Sequence, residues 1–184
     1  MSQSNERQSE LERFLAGVEG RAFRMAEFAT GNREDALEIV QDAMFKLVQR
    51  YGERGREDWP PLFHRILQSR INDWHRRRSV RRRWLAAWGD RRAALAEEGP
   101  EPEFADPHAV DPPGRLAQGE AMAAVHAAVQ ALPLRQQQAF LLRIWEGLDV
   151  AQTAYAMGCS EGSVKTHLSR AMAKLRERLG EHWP

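Results

Sequence analysis

Cysteine is nearly missing from this chain: Cys159 stands alone among 184 residues, so no internal disulfide can form and a cysteine-rich zinc site is excluded. No apolar run reaches the ~20 residues that a bilayer-spanning helix needs, and no charged-then-apolar leader opens the sequence. The expectation is a soluble, unexported, cytoplasmic protein with no membrane partner. Glycine loops of the phosphate-cradling kind and metal-spaced sets of His or Cys are also lacking, so no metal, cofactor or catalytic residue is expected. An enzyme would have to recruit Glu38 and Asp42 with His64 or His75, and nothing else in the sequence supports that. Net charge is close to absent at +1, but the average hides a segregation. Residues 1–95 hold 19 basic against 14 acidic side chains, whereas residues 96–118 set Arg115 against six acids.

What is present is helical periodicity. Between Leu148 and Leu179 the spacing predicts two amphipathic helices joined at Gly158. Val150, Ala154 and Met157 fall on one face of the first. Gly158 suits a left-handed stop and Ser160 suits the N-cap of the next helix. There Val164, Leu168, Ala171, Leu175 and Leu179 form a buried stripe, and Ser163, Thr166, Ser169 and Arg170 point away from it, with Lys165 at the edge. The pattern is either an ordinary helical hairpin or a helix-turn-helix whose small, polar, basic face enters a major groove. Two more helices precede it. Met122, Val125, Val129 and Leu132 mark one, ended by Pro133; Phe140, Leu141 and Ile144 mark the other, with Gly147 as its stop.

The first block is helical as well. Leu11, Phe14, Leu15, Val18, Ala22 and Met25 keep helical spacing, as do Ala36, Ile39, Val40, Ala43, Leu47 and Tyr51 after Asn32 as N-cap. The outer face of that second helix carries Asp35, Glu38, Gln41, Asp42 and Lys46, which is either a solvated face or a docking surface for a basic partner helix. In a third helix Phe63, Ile66, Leu67, Ile71 and Trp74 face inward. The opposite side aligns Arg65, Gln68, Asn72 and Arg76, flanked by Ser69 and His75, a row of amides and guanidinium groups suited to base edges. Arg76, Arg77, Arg78, Arg81, Arg82 and Arg83 follow, and phosphate is their natural ligand if they are more than a solvated helix end. Between the blocks, Gly99 to Gly114 holds five prolines, which reads as a linker or a long ordered loop. The fold expected is therefore all-α. Two helical domains, 1–95 and 119–184, are joined by a flexible acidic proline-rich linker, 96–118, and the second is a four-helix unit ending in the helix-turn-helix.

Ala131 to Phe140, Glu146 to Asp149 and Gly162 to Ala171 together resemble the C-terminal domain of extracytoplasmic-function sigma factors of bacterial RNA polymerase. Asn32 to Asp42 and Asp73 to Arg78 are similar to the N-terminal domain of the same family, in matching order. The resemblance implies a promoter-specific initiation factor without catalysis of its own. Its N-terminal domain would dock on the clamp helices of the polymerase core through Glu38, Gln41 and Asp42. The same domain would read and open the minus-ten element with Arg65, Gln68, Ser69, Asn72, His75, Arg76, Arg77, Arg78, Arg81 and Arg82. The C-terminal domain would bind the minus-thirty-five element with Ser160, Gly162, Ser163, Lys165, Thr166, Ser169 and Arg170. Partners implied are polymerase core, promoter DNA and, by resemblance alone, an inhibitory anti-sigma protein. His167, Gln152, Thr153, Ser69 and Leu62 depart from the family pattern. A free-standing helix-turn-helix regulator is the other reading, and it leaves the acidic face of the second helix without a purpose.

Overall fold

A computed structural model of the chain describes residues 2–87 and 113–180, and all regular elements among them are helical. They are α1 (Ser2–Thr30), α2 (Arg33–Tyr51), a single 3-10 turn (Arg56–Asp58), α3 (Trp59–Ala87), α4 (Pro113–Gln130), α5 (Leu134–Phe140), a π-helical turn (Leu141–Trp145), α6 (Val150–Met157) and α7 (Glu161–Leu179). The all-α expectation holds.

The boundaries follow from local chemistry. Asn32 has extended backbone and its Oδ1 accepts from the N–H groups of Glu34 and Asp35 at 2.8 and 3.0 Å, capping α2. Those two acidic side chains also sit in the first turn, where the helix dipole favours negative charge. In the first half the inward stripes of α1, α2 and α3 meet, and Ala43, Leu47, Phe63 and Leu67 are wholly buried. Trp59 is equally buried: its Nε1 donates to the Tyr51 carbonyl at 3.1 Å and its ring lies 6.0 Å from Phe14, so it is a core residue and not a base-stacking one. Burying such a side chain contributes about 2–3 kcal/mol.

In the second half Asp149 and Gln152 form a reciprocal capping box at the start of α6. Gly158 ends that helix at φ 65 and ψ 43, and the Ser160 hydroxyl accepts from the Ser163 N–H to open α7. Val164, Ala171, Leu175 and Leu179 are buried, as the stripe requires.

Two expectations need correction. Helix α4 begins at Pro113, inside the stretch read as linker, so residues 113–118 are helical. Proline is well suited to the first helical position, where its missing N–H has no partner to lose, and the stretch ends there. The remainder of the proposed linker, 96–112, lies outside the described residues. Ile144, read as inward-facing, is 55% exposed. The π-helical turn rotates the register past Leu141 and Leu142, which are buried, and carries Ile144 and Trp145 outward.

The two halves share one contiguous hydrophobic core. At its margin the polar contacts are specific. Gln137 is buried and its Nε2 donates to the carbonyls of Phe28 at 3.0 Å and Val129 at 3.1 Å, joining α1 to the second half. The Phe28 ring sits 4.4 Å from His126 and 5.9 Å, edge to face, from Trp145. Glu146, whose side chain is 5% exposed, lies 3.3 Å from Arg21 and 3.6 Å from His64. Burial first, and the Arg21 charge second, lower the His64 pKa to about 4. His64 is thus neutral at pH 7, its approach to Glu146 is not an ion pair, and its buried Nδ1 has no hydrogen-bond partner. Burial raises the Glu146 pKa, with Arg21 opposing.

The sign of the pH effect follows. Between pH 6.5 and about 4 the unfolded chain protonates His64 and the folded chain does not, so stability is lost as pH falls through that window. The full loss is about 3 kcal/mol for this residue, offset in part by Glu146, whose raised pKa acts with the opposite sign. We expect His64→Leu to flatten the decline in urea midpoint from pH 6.5 to 4.5. An unchanged slope would show that His64 does not set it.

Candidate nucleic-acid interface

Helix α3 carries the first candidate surface. Its inner face is fixed by Phe63, Leu67 and Ile71, and the outer face was expected to align Arg65, Gln68, Asn72 and Arg76. The structure breaks that row. Gln68 is wholly buried, with Nε2 2.9 Å from the Met25 sulfur and Oε1 unpartnered. The physical reason is its place one residue after Leu67 on a helix packed on three sides, by α1, by α2 and by the second half, so the buried arc is wider than the apolar stripe. Gln68 is therefore withdrawn from the reading face.

Arg65 is exposed but engaged: its guanidinium donates to the Tyr155 carbonyl at 2.6 Å and lies 4.7 Å over the Tyr155 ring. Asn72 is half-buried and its Oδ1 accepts from Gln138 Nε2 at 2.9 Å. Ser69 is open to solvent. His75 is half-buried, with a pKa lowered mainly by burial. Beyond it the arginines fan out along the last turns of α3. Arg76 pairs with Asp73 at 3.0 Å, Arg78 lies 5.2 Å over the Trp74 ring, and Arg77, Arg81 and Arg82 are exposed. Arg77, Arg78 and Arg81, with Arg70 and Trp74, make one wall of a groove of about 410 Å³ whose other wall holds Asp35, Glu38 and Asp42 of α2. Glu38 and Gln41 are exposed; Asp42 receives Arg70 at 2.8 Å and so braces α2 against α3.

The second surface is α7. Its stripe of Val164, Ala171 and Leu175 is buried, which turns Lys165, Thr166, Ser169 and Arg170 outward, all exposed. Ser160 and Gly162 are exposed at its start, and Ser163 is half-buried with its hydroxyl 2.9 Å from that of Ser160. Thr166 Oγ1 donates back to the Gly162 carbonyl at 3.0 Å, leaving its methyl and an oxygen lone pair to the surface. A helix of ~10 Å diameter with short polar side chains and two cations fits a major groove ~12 Å wide. Sequence reading missed Tyr155, Gln137 and Gln138 as contact residues. Three consecutive amides at Gln136–Gln138 on a short helix were the only sign available for the last two.

A helix-turn-helix beside an arginine-rich helix defines a two-part helical DNA-binding protein, and comparison with known proteins sharpens this. Residues 122–175 match the family described as Sigma-70, region 4. The chain is 30% identical over 173 residues to the RNA polymerase sigma-E factor of Streptomyces avermitilis, covering 92% of this chain and 85% of that one. To the RNA polymerase sigma-E factor of Streptomyces antibioticus it is 32% identical over 148 residues, covering 79% and 71%. To the ECF RNA polymerase sigma factor SigM of Mycobacterium tuberculosis it is 29% identical over 161 residues, covering 85% and 70%. In fold it is similar to the sigma factor RpoE of Bartonella quintana, solved with the anti-sigma factor NepR, with a TM-score of 0.63 over 94% of this chain and 95% of that one at 21% identity. The chain belongs to the extracytoplasmic-function sigma factors of bacterial RNA polymerase, which direct promoter-specific transcription initiation.

The placement of Gln68 is open to a direct check. Its carbonyl oxygen is buried without a partner, an arrangement that costs about 1–3 kcal/mol. Gln68→Leu should hold or raise the urea midpoint and leave promoter ranking unchanged. A clear loss of stability would show that the amide's contact with Met25 outweighs its unpaired oxygen, and only an altered base preference would return Gln68 to the reading face.

Proposed function

We propose that this sigma factor docks on core polymerase through Glu38 and Gln41 of α2 with Asp42 beside them. In this reading α3 contacts the minus-ten element and α7 the minus-thirty-five element. The observation that carries it is the outward face of α7, where every outward cation and hydroxyl from Lys165 to Arg170 is free of the core that holds the opposite face. On α3, Ser69, Asn72 and Arg65 would meet bases, while Arg76, Arg77, Arg78, Arg81 and Arg82 would meet phosphate, with His75 at their edge. The chain would itself catalyse nothing. Among the described residues no group of three or more His, Cys, Asp or Glu could hold a metal ion, and no helix is long and apolar enough to cross a membrane.

An anti-sigma protein is a further partner in this reading, as the Bartonella quintana sigma factor has one. An apolar groove of about 730 Å³ between α1 and the second half, with Phe28, Met122, Val125, Ile144 and Trp145 along it, offers such a protein or the polymerase a surface.

Two measurements test the reading. Glu38→Lys with Gln41→Lys should leave circular dichroism and melting temperature near wild type, because both side chains are exposed, yet weaken association with core at least thirtyfold, equivalent to about 2 kcal/mol or more. Asp42 is left in place because it holds Arg70. Pull-down of core subunits and run-off transcription read the effect; normal core binding would remove the α2 face. A wild type that bound promoter tightly alone, with no affinity for core, would favour an autonomous regulator. Separately, Arg82→Ala in holoenzyme should weaken all promoters alike and reduce the salt slope by about 0.9. A loss confined to one base position would make Arg82 a base reader.

A further inference from the structure

The tryptophans of the described residues differ in what meets their rings. Trp59 is buried against Phe14, Trp74 meets His75 and the Arg78 guanidinium, and Trp145 packs edge to face on Phe28. Trp84 is 63% exposed, and among the described residues no aromatic ring and no guanidinium group lies against its indole.

It stands on a bare stretch of helix. From Arg76 to Trp84 every residue except Arg78 is exposed, so the last turns of α3 stand clear of the core. At 3.6 residues per turn Arg76, Val80 and Arg83 fall within roughly 80° of Asn72, and Trp84 lies at the edge of that face, one turn after Val80. Val80 is itself 41% exposed. The row that begins at Arg65 and Asn72 therefore does not stop at Arg76. It runs on for two turns and ends in an apolar pair beside a cation. Trp84 sits ~18 Å along the axis from Asn72, the length of about five base pairs at 3.4 Å per pair, so the two side chains serve different nucleotides.

The chemistry of this tip selects its ligand. Between Asp73 and Asp90 the sequence holds six arginines and no acid, which calls for an anionic partner. An indole adds a broad π-face and a single N–H donor. A duplex shows its exterior contacts only phosphate, sugar and base edges, because each base covers the face of the next. A base that has left the stack exposes the face an indole needs, and cations combined with aromatic rings are the usual means of holding single strands. Strand separation during initiation supplies such bases.

We propose that Trp84 stacks on an unpaired base of the opened promoter while Arg83 holds the phosphate of that nucleotide. Arg83 is exposed, and its Nε donates to the Ser79 carbonyl at 3.4 Å, which steadies its stem and leaves the Nη groups to meet an anion. The proposal rests on the reading of α3 as the minus-ten helix. It adds to that helix a contact made by stacking, which accepts any base with little preference.

Trp84→Ala removes the indole and Trp84→Phe keeps a ring. Because the side chain is exposed, circular dichroism and pull-down of core subunits should match wild type for both. The first readout is the fluorescence of 2-aminopurine placed at one position at a time across a promoter selected beforehand by wild-type holoenzyme. Unpaired 2-aminopurine is bright in the open complex unless a ring stacks on it. We expect one unpaired position to be quenched with wild type, roughly threefold brighter with Trp84→Ala, and quenched again with Trp84→Phe. The second readout is anisotropy. Trp84→Ala holoenzyme should bind a forked promoter with unpaired minus-ten bases about fivefold or more weakly, and a fully paired promoter within about twofold of wild type. The absence of any position that brightens overturns the proposal. So does an equal loss on paired and forked DNA, which makes Trp84 a duplex contact, or a loss of core binding, which makes it a polymerase contact. Asn72→Ala and Arg82→Ala keep the two readings apart: if they impair promoter binding while no position brightens, Trp84 alone is wrong, whereas no effect from either sinks the minus-ten reading of α3 beneath it.

Discussion

Helix α3 is the constraint on which the molecule depends, because 29 residues of one continuous rod must satisfy three neighbours at once. Its Phe63, Leu67 and Ile71 complete the core with α1 and α2, its Arg65 and Asn72 hold the second half, and its last turns project arginines into solvent. A helix offers only 360° of circumference, and a face given to one neighbour is withdrawn from another. Gln68 pays for that crowding: an amide in a fully enclosed position, with a sulfur as its only partner.

The charges are distributed by the same logic. Asp42 and Arg70 link α2 to α3 across a partly exposed gap, where an ion pair is worth little on its own, at most about 1 kcal/mol, but fixes the relative rotation of two helices. Glu146 is a harder case. Its carboxylate is enclosed, its closest cation is exposed, and the histidine beside it is neutral. Such a group adds little to the hold between the halves, because the cost of enclosing a carboxylate offsets most of what its one exposed cation returns.

Local signals carried most of the fold. Asn32, Gly158 and Ser160 declare helix ends through short-range hydrogen bonds or a positive φ, and the stripe from Val164 to Leu179 declares a single buried face, so all four were legible in the sequence. Non-local effects were not. Gln68 reads as outward from its neighbours on α3 and is inward only because a distant part of the chain covers it. Ile144 obeys a 3.6-residue period that the π-helical turn interrupts, and no residue type announces such a turn. Pro113 looks like a breaker within a proline-rich run and is in fact a helix start. For the candidate site, the outward row of α7 followed from periodicity alone. The engagement of Arg65 and Asn72 could not, since their partners Tyr155 and Gln138 lie 90 and 66 residues away.

The capping box of Asp149 and Gln152, the left-handed Gly158 and the Ser160 cap all lie within a dozen residues of one another and draw on no group from the first half. The angle between α6 and α7 is therefore written into the segment itself. A reading head built this way keeps one shape whatever surface it meets, so the ordering cost of its recognition helix is met during folding and not again at each promoter.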